Sequence, residues 1–434
     1  MPEQRSYAKS LELWGRAVQL ISGGSQTGSK RATAYALGAY PIYAERAQGA
    51  RIKDVDGNWY IDYVLALGPI TLGYCYPAVD EAIAEQLGRG IIYGLMSPLE
   101  VEAAELICET VPCADMARFL KGGAEVTTAA ARIARAHTGK ELILNSGYRG
   151  WADTWTAALD GERRRGVPEC LTSVIESFPR DDLEALRGKL EQHRGQVALI
   201  FLDAASGTEP PEGYLGGVRE LCDEYGVLLA FDEIVTGFRL APGGAQEYFG
   251  VTPDLACFAK GVANGMPLGV ICGRADLMQL AKDLTISVTY GGEALSLAAV
   301  VAALNEYQVK PVHEQIWRQG RRLMAGFDEL GEKHGVPLKC HGLAPMSSQR
   351  IEYEDAELQG DVWTLLLQEM ATRGVLIRRG GLLFITYSHG DEEVEETLAA
   401  LDESLAVIAE AVDGGTVKDL LRTAEVEESF RRFT

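Results

Sequence analysis

Two charged residues stand where this chain could do chemistry. Asp232 closes the apolar run Val227–Phe231, and Lys260 follows a second apolar run after Pro253-Asp254; Gly237 and Gly261 trail them closely. Continuous apolar runs of this length fit strands buried on both faces, as in a parallel sheet. An acid and an amine at the carboxyl ends of such strands face the edge where α/β sheets bind ligands. One cofactor uses that pair particularly well. Pyridoxal phosphate (PLP) forms a Schiff base with a lysine, while a carboxylate keeps its pyridine nitrogen protonated so that the ring can act as an electron sink. Taken alone, the two charges would more readily be read as strand caps that pair at the surface.

The longer string narrows the choice. It runs Asp232-Glu-Ile-Val-Thr-Gly-Phe-Arg239, then Gly243-Gly-Ala-Gln-Glu-Tyr-Phe-Gly-Val-Thr-Pro-Asp-Leu255, then Lys260-Gly261 and Gly265-Met-Pro-Leu-Gly269. This closely resembles the class III aminotransferases, and within them the glutamate-1-semialdehyde aminomutase branch. The resemblance implies an α/β fold of the aspartate-aminotransferase-like type, the PLP-dependent transferase fold of type I. A large domain with a mostly parallel sheet would be joined by a small α+β domain. The divisions expected are 1–65, an N-terminal helix and hairpin belonging to the small domain, 66–310, the large PLP-binding domain, and 311–434, the C-terminal small domain.

The resemblance also assigns roles. Lys260 would carry the cofactor and move the proton, and Asp232 would hold the pyridinium. Ile234 would pack on one face of the ring, and Tyr148 would stack on the other. The stretch Arg118-Phe-Leu-Lys-Gly122-Gly123-Ala124-Glu125 reads as strand, tight turn and alanine-rich helix. Glycines at a helix start expose backbone N–H groups to an anion, so Gly122, Gly123 and Ala124 are expected at the phosphate. Ala124 replaces a threonine of the family pattern and removes a hydroxyl there. Thr289, in Ser287-Val-Thr-Tyr-Gly-Gly-Glu293, matches a threonine that reaches the neighbouring subunit's phosphate, which implies a homodimer with shared active sites. Other departures are Tyr74 and Tyr76 in place of two histidines, Arg149 in place of another, and Glu293-Ala294 in place of Asn-Pro.

Substrate contacts are fainter. Thr27 and Lys30 fall where the aminomutase has a serine and an arginine, in what also reads as a solvated loop. Its substrate-contacting glutamate has no counterpart in Arg378-Arg379-Gly380-Gly381. Those two arginines could hold a carboxylate bidentately or simply face solvent. The expected reaction is therefore amino transfer between an amino acid and a keto acid, aldehyde or ketone. An aminomutase, a racemase or a decarboxylase would share the same machinery, and a non-catalytic relative of the fold would be expected to lack the lysine or the aspartate.

The elements that must position these residues follow from periodicity. Helical spacing is expected over Ser10–Ile21, Ala78–Leu87, Leu99–Thr110, Gly213–Tyr225, Val312–His334, Asp361–Arg373 and Asp391–Val412, with a further helix beginning at Ser287. Asp56-Gly57-Asn58 predicts a hairpin turn between Arg51–Asp54 and Trp59–Tyr63. At 434 residues, 47% hydrophobic and 24% charged, the chain is long enough for a large core and ordinary in composition for a globular protein. A net charge of -21 argues against nucleic acid or an anionic membrane as partner. No apolar run approaches the ~20 residues of a membrane span, and the N-terminus lacks the apolar stretch of a secretion signal. Eight cysteines without a C-x-x-C pair fit reduced thiols in a cytoplasmic protein and no metal. The partners expected are a small-molecule amino donor and a carbonyl acceptor.

Overall fold

The computed structural model describes residues 5–423; residues 1–4, part of the N-terminal stretch read above, and 424–434 lie outside it. The chain forms two compact units, one containing the residues through Tyr76 and from Glu314 onward, the other Pro77–His313.

The second unit is built on a 7-stranded sheet. Its strands in chain order are β1 (Met116–Leu120), β2 (Leu142–Ser146), β3 (Ile175–Ser177), β4 (Val197–Leu202), β5 (Leu228–Asp232), β6 (Leu255–Phe258) and β7 (Gly269–Gly273). Across the sheet they lie in the order β1-β7-β6-β5-β4-β2-β3. Strand β7 runs against both its neighbours, and every pair from β6 to β3 is parallel. All residues of β4, β5, β6 and β7 are buried, which is why their sequences are continuous apolar runs rather than alternating ones. Helix α1 (Pro77–Leu87) and helix α2 (Pro98–Thr110) pack against a long helix later in the unit, α5 (Ala294–Val309). Ser97 and Glu100 close a reciprocal cap at the start of α2, with Pro98 in the first turn. Helix α3 (Gly123–Thr138) covers the sheet with Val126, Ala130, Ile133 and Ala134, all within the main apolar core. Helix α4 (Tyr214–Tyr225) leads into β5 through Gly226, which takes the left-handed conformation that ends the helix.

The first unit draws on both ends of the chain. Ala44–Gln48, Arg51–Asp54 and Trp59–Asp62 form an antiparallel ribbon, joined in parallel by Val375–Leu376. Leu338–His341, Met346–Ile351 and Leu382–Phe384 make a second sheet of three strands. Helices Ala356–Thr372 and Asp391–Asp413 pack on each other, the first capped by the Asp355 carboxylate. That helix starts before the expected Asp361 because Asp355 supplies the cap there.

The unit boundaries fall after Tyr76 and His313, not after residues 65 and 310. Hydrogen bonds explain the first shift. Tyr387 N and Thr386 Oγ1 both donate to Thr71 O, Ser388 Oγ donates to Leu72 O, and Tyr74 N donates to Gly49 O. Residues 66–76 are thereby tied into the first unit. The helix expected from Ser287 begins instead at Ala294, after a turn.

Candidate active site at the carboxyl edge of the sheet

Three strand ends meet at one edge of the second unit. Register sets Ser146 beside Leu202, Leu202 beside Phe231, and Asp232 beside Cys257. Ser146, Asp203 and Asp232 thus follow one another along the carboxyl ends of β2, β4 and β5. Asp232 is 5% exposed. Its Oδ1 accepts from the Ile234 amide at 3.0 Å, and its Oδ2 accepts from Arg149 Nη1, also at 3.0 Å. Burial pushes the Asp232 carboxyl up to about 6; Arg149, the Ile234 amide and Lys260 pull against this, and Asp203 adds to it.

Arg149 is the residue that sequence reading left without a role, and it proves central. Its side chain is fully buried. Nη1 donates to Asp203 Oδ1 at 2.9 Å, to Asp232 and to Tyr148 O, while Nη2 donates to Ser146 O. The guanidinium lies over the Phe201 ring, 4.9 Å from its centroid. Although burial works against its charge, the two carboxylates hold its pKa above the usual value. Asp203 carried a readable signal, since Val197–Leu202 is an apolar run ending in an acid, the same pattern that marks Asp232. The backbone makes room for the pair. Gly147 sits at φ 104, and a Cβ there would collide with Asp203 Oδ2, so this position is restricted to glycine.

Lys260 does not itself close a strand: β6 ends at Phe258, and Lys260 opens a 3₁₀ turn, Lys260–Ala263. It is half-buried with φ 45, a left-handed conformation that costs a non-glycine residue about 1–3 kcal/mol and collects at functional sites. Tyr307 Oη holds the turn from behind by donating to Gly261 O at 2.7 Å. The Lys260 charge is near enough to Asp232 to favour its ionised form.

Helix α3 delivers its N-terminus to the same edge. A Cβ on Gly123 would stand 2.8 Å from Ile234 Cδ1, so the bare first turn packs directly on the residue expected against the ring. Thr127 Oγ1, in the next turn, donates to Arg149 O at 2.7 Å. Glu125 Oε2 accepts from the Lys121 and Gly122 amides at 2.8 and 2.9 Å. The Gly122 N–H is therefore already used by Glu125. The Gly123 and Ala124 amides have no acceptor among the described residues and lie at the positive end of a 16-residue helix. Tyr148 joins the edge through its carbonyl and is 37% exposed.

Thr289 lies on the turn before α5, exposed and without a hydrogen bond among the described residues. The turn is well anchored all the same. Glu293 caps α5 by accepting from the Leu295 amide at 2.6 Å and receives Lys121 Nζ at 2.8 Å. Burial works to raise the Glu293 carboxyl, but the bonds from Lys121, Ser296 and Leu295 keep it below the usual range. Glu293 therefore supplies the helix start that the missing Asn-Pro had left open.

The four candidate substrate residues belong to the first unit. Thr27 and Lys30 are exposed, on and beside a 3₁₀ turn, Gly28–Lys30. Arg378 is buried, with its stem against Gly381, and Arg379 is half-buried, so neither is a freely solvated surface arginine. Tyr74, which replaces a histidine, donates its Oη to Asp62 Oδ2 at 2.7 Å. Burial raises the Asp62 carboxyl, while this bond and the Lys30 charge pull it down, so Lys30, Asp62 and Tyr74 form one polar cluster.

Comparison with known proteins places this arrangement in context. A family model described as class-III aminotransferase matches residues 34–405. The glutamate-1-semialdehyde 2,1-aminomutase 2 of Exiguobacterium sibiricum is 37% identical over 422 residues, spanning 91% of this chain and 96% of its own. The 3-aminobutyryl-CoA aminotransferase of Cloacimonas acidaminovorans is 34% identical over 416 residues, 94% of this chain and 99% of its own. Among solved structures, the PLP internal aldimine form of the Sphingopyxis sp. MTA144 FumI protein superposes with a TM-score of 0.88 at 27% identity, covering 94% of this chain and 98% of that one.

Proposed function

The chain belongs to the class III aminotransferases and is a PLP-dependent enzyme that moves an amino group between an amino acid and a keto acid, aldehyde or ketone; we propose that Lys260 carries the cofactor and that Asp232 faces its pyridine nitrogen. The observation that carries this reading is the buried Asp232 carboxylate at the sheet edge, beside Lys260 and the open start of α3.

The residues fit the group part by part. The unsatisfied Gly123 and Ala124 amides suit a phosphate, the buried acid suits a protonated ring nitrogen, and Ile234 and Tyr148 supply apolar and aromatic faces for a ring. Bound there, PLP supplies the electron sink that lets a proton leave the substrate's α-carbon. Lys260 Nζ takes that proton and returns it, a general acid–base task at which its anchored turn holds it. Asp232 keeps a negative charge where the ring nitrogen's proton would sit. Burial of Asp232 excludes water that would screen the charge.

The working unit in this reading is a homodimer in a cytoplasmic, reducing setting. Exposed Ile91, Leu95, Met96 and Tyr290 form an apolar surface beside the Thr289 turn, tied together where Ala294 N donates to Ile91 O. A second copy covering that surface would bring Thr289 of the partner subunit to the phosphate, replacing the hydroxyl absent at Ala124. Thr289→Ala should then weaken PLP binding by about 1.5–3 kcal/mol, one hydrogen bond to a charged group. Mixed dimers of Lys260→Ala and Thr289→Ala chains should regain one intact site; no recovery, or an active monomer, would refute sharing.

The test of the reaction is a half-reaction. Holoenzyme given glutamate or alanine without any carbonyl acceptor should release the matching keto acid in amounts equal to the enzyme. An aminomutase reading draws on the relatives of that name. It would be favoured instead if a 1,2-amino aldehyde were isomerised faster than any keto acid forms.

A further inference from the structure

Arg149 places a permanent cation against the carboxylate that is to face the ring. Unopposed, a cation there would lower the tendency of a neighbouring nitrogen to hold a proton, since like charges disfavour ionisation. Asp203 meets the same guanidinium nitrogen, 2.9 Å from the Nη1 that touches Asp232 at 3.0 Å. The arrangement is closely built. Gly147 leaves room for Asp203 Oδ2, the Ser146 and Tyr148 carbonyls take further N–H bonds, and Phe201 lies beneath the guanidinium. We propose that Asp203 and Arg149 are positioning residues that set the charge at Asp232: Asp203 cancels the arginine, so that alternating charges along Asp203, Arg149 and Asp232 present one net negative charge to the pyridine nitrogen. Asp203 is the less obvious member, because its hydrogen bond is to Arg149 rather than to Asp232.

The groups around this line are few: Asp203 and Arg149 on one side, Lys260 from the turn after β6, and Cys257 beside Asp232 on β6, where burial first and then the Asp232 charge push its thiol well up. Neither Lys260 nor Cys257 offers a second anion to replace Asp203. The line therefore makes a signed prediction. Asp203→Asn keeps an acceptor for Arg149 but removes a negative charge, and Arg149→Gln keeps a donor but removes a positive one. The double variant restores the net charge of the original line.

This inference rests on the proposed place of Asp232 at the ring. Its test uses holoenzyme loaded with PLP isotope-labelled at the ring nitrogen, whose NMR shift reports protonation across a pH series. Asp203→Asn should lower the nitrogen's titration midpoint by about 1–3 units and Arg149→Gln should raise it, the range for a near charge in a buried site; the double variant should return toward wild type. A purely structural pair would give a double variant no better than either single one, and that result overturns the proposal. So does an Asp203→Asn protein whose midpoint is unmoved, a measurement that stands even if Arg149→Gln fails to fold. Asp232→Asn is the control. If it too leaves the nitrogen unchanged, the assignment of Asp232 to the ring has failed; if it alone shifts, only the role of Asp203 and Arg149 has.

Discussion

Asp232 and Glu233 are consecutive, both carboxylates and both buried, yet they serve different regions of the second unit. Glu233 turns toward the start of the short helix Ala245–Phe249, where Thr236 Oγ1 and the Ala245 and Gln246 amides donate to it, the amides at 2.9 Å each. Its partners are neutral and local. Asp232 turns the other way, toward a charged arginine and a lysine brought in from distant parts of the chain. A buried acid saturated by neutral donors is a cap that fixes a loop. One held by charges at a ligand-binding edge, with perturbed protonation, is a site. The contrast separates structure from function within a single dipeptide.

The comparison breaks most sharply on the functional side. Lys260→Ala should cost turnover on the order of ten-thousandfold, since it removes both the anchoring amine and the proton carrier. Borohydride reduction of the wild-type holoenzyme followed by peptide mapping should place the pyridoxyl group on Lys260; labelling of another lysine ends the assignment. Asp232→Asn should still bind PLP but lose turnover on the order of a hundredfold or more. Steady-state kinetics on protein with full cofactor content checks this, and wild-type rates would remove Asp232 from the ring. Glu233→Gln should do the reverse. An amide group facing two backbone N–H donors leaves a buried donor without an acceptor, so stability should fall by about 1.5–3 kcal/mol in urea denaturation while the holoenzyme's kcat holds. If kcat fell as far as in Asp232→Asn, the division between the two residues would be wrong.

Legibility in the sequence follows the same line. Asp232 and Lys260 stand out because a buried parallel strand must be written as an unbroken apolar run, so a charge at its end or just past it is conspicuous. The start of α3 is readable for a similar reason, since paired glycines before an alanine-rich helix have few other uses. Arg149 reads only as a substitution, because its partners are Asp203 and Asp232, contributed by β4 and β5, and no local pattern records which strand ends become neighbours. Asp203 shares the signature of Asp232 but lacks the glycine-rich string that follows it. Glu293 shows how a departure from a family pattern can be repaired locally, since an acid caps a helix as well as the residues it displaced. The burial of Arg378 was beyond periodicity altogether.

The smallest expected effect is also the one that sets the two acids side by side. Burial raises both carboxyls, Asp232 from 3.8 to about 6 and Glu233 in the same direction. A raised folded pKa means that the native state binds more protons than the unfolded chain in the window between the two values. Stability from each group is then fully present below the unfolded pKa and is lost as pH rises through the folded one. For Asp232 this loss sets in as pH rises above about 4 and is complete once pH has passed through about 6 in the cofactor-free protein, on the order of 1–3 kcal/mol. Urea denaturation of apoprotein across that window should show the decline, and Asp232→Asn should reduce it by that amount. Adding PLP should erase the same portion, because a ring cation beside Asp232 keeps the carboxylate ionised in the folded state. Glu233 has no such partner, so its share of the decline should persist in the holoenzyme and vanish only in Glu233→Gln. An undiminished decline in Asp232→Asn apoprotein would mean that Arg149 holds Asp232 ionised throughout, and the two acids would then differ in charge state even before the cofactor arrives.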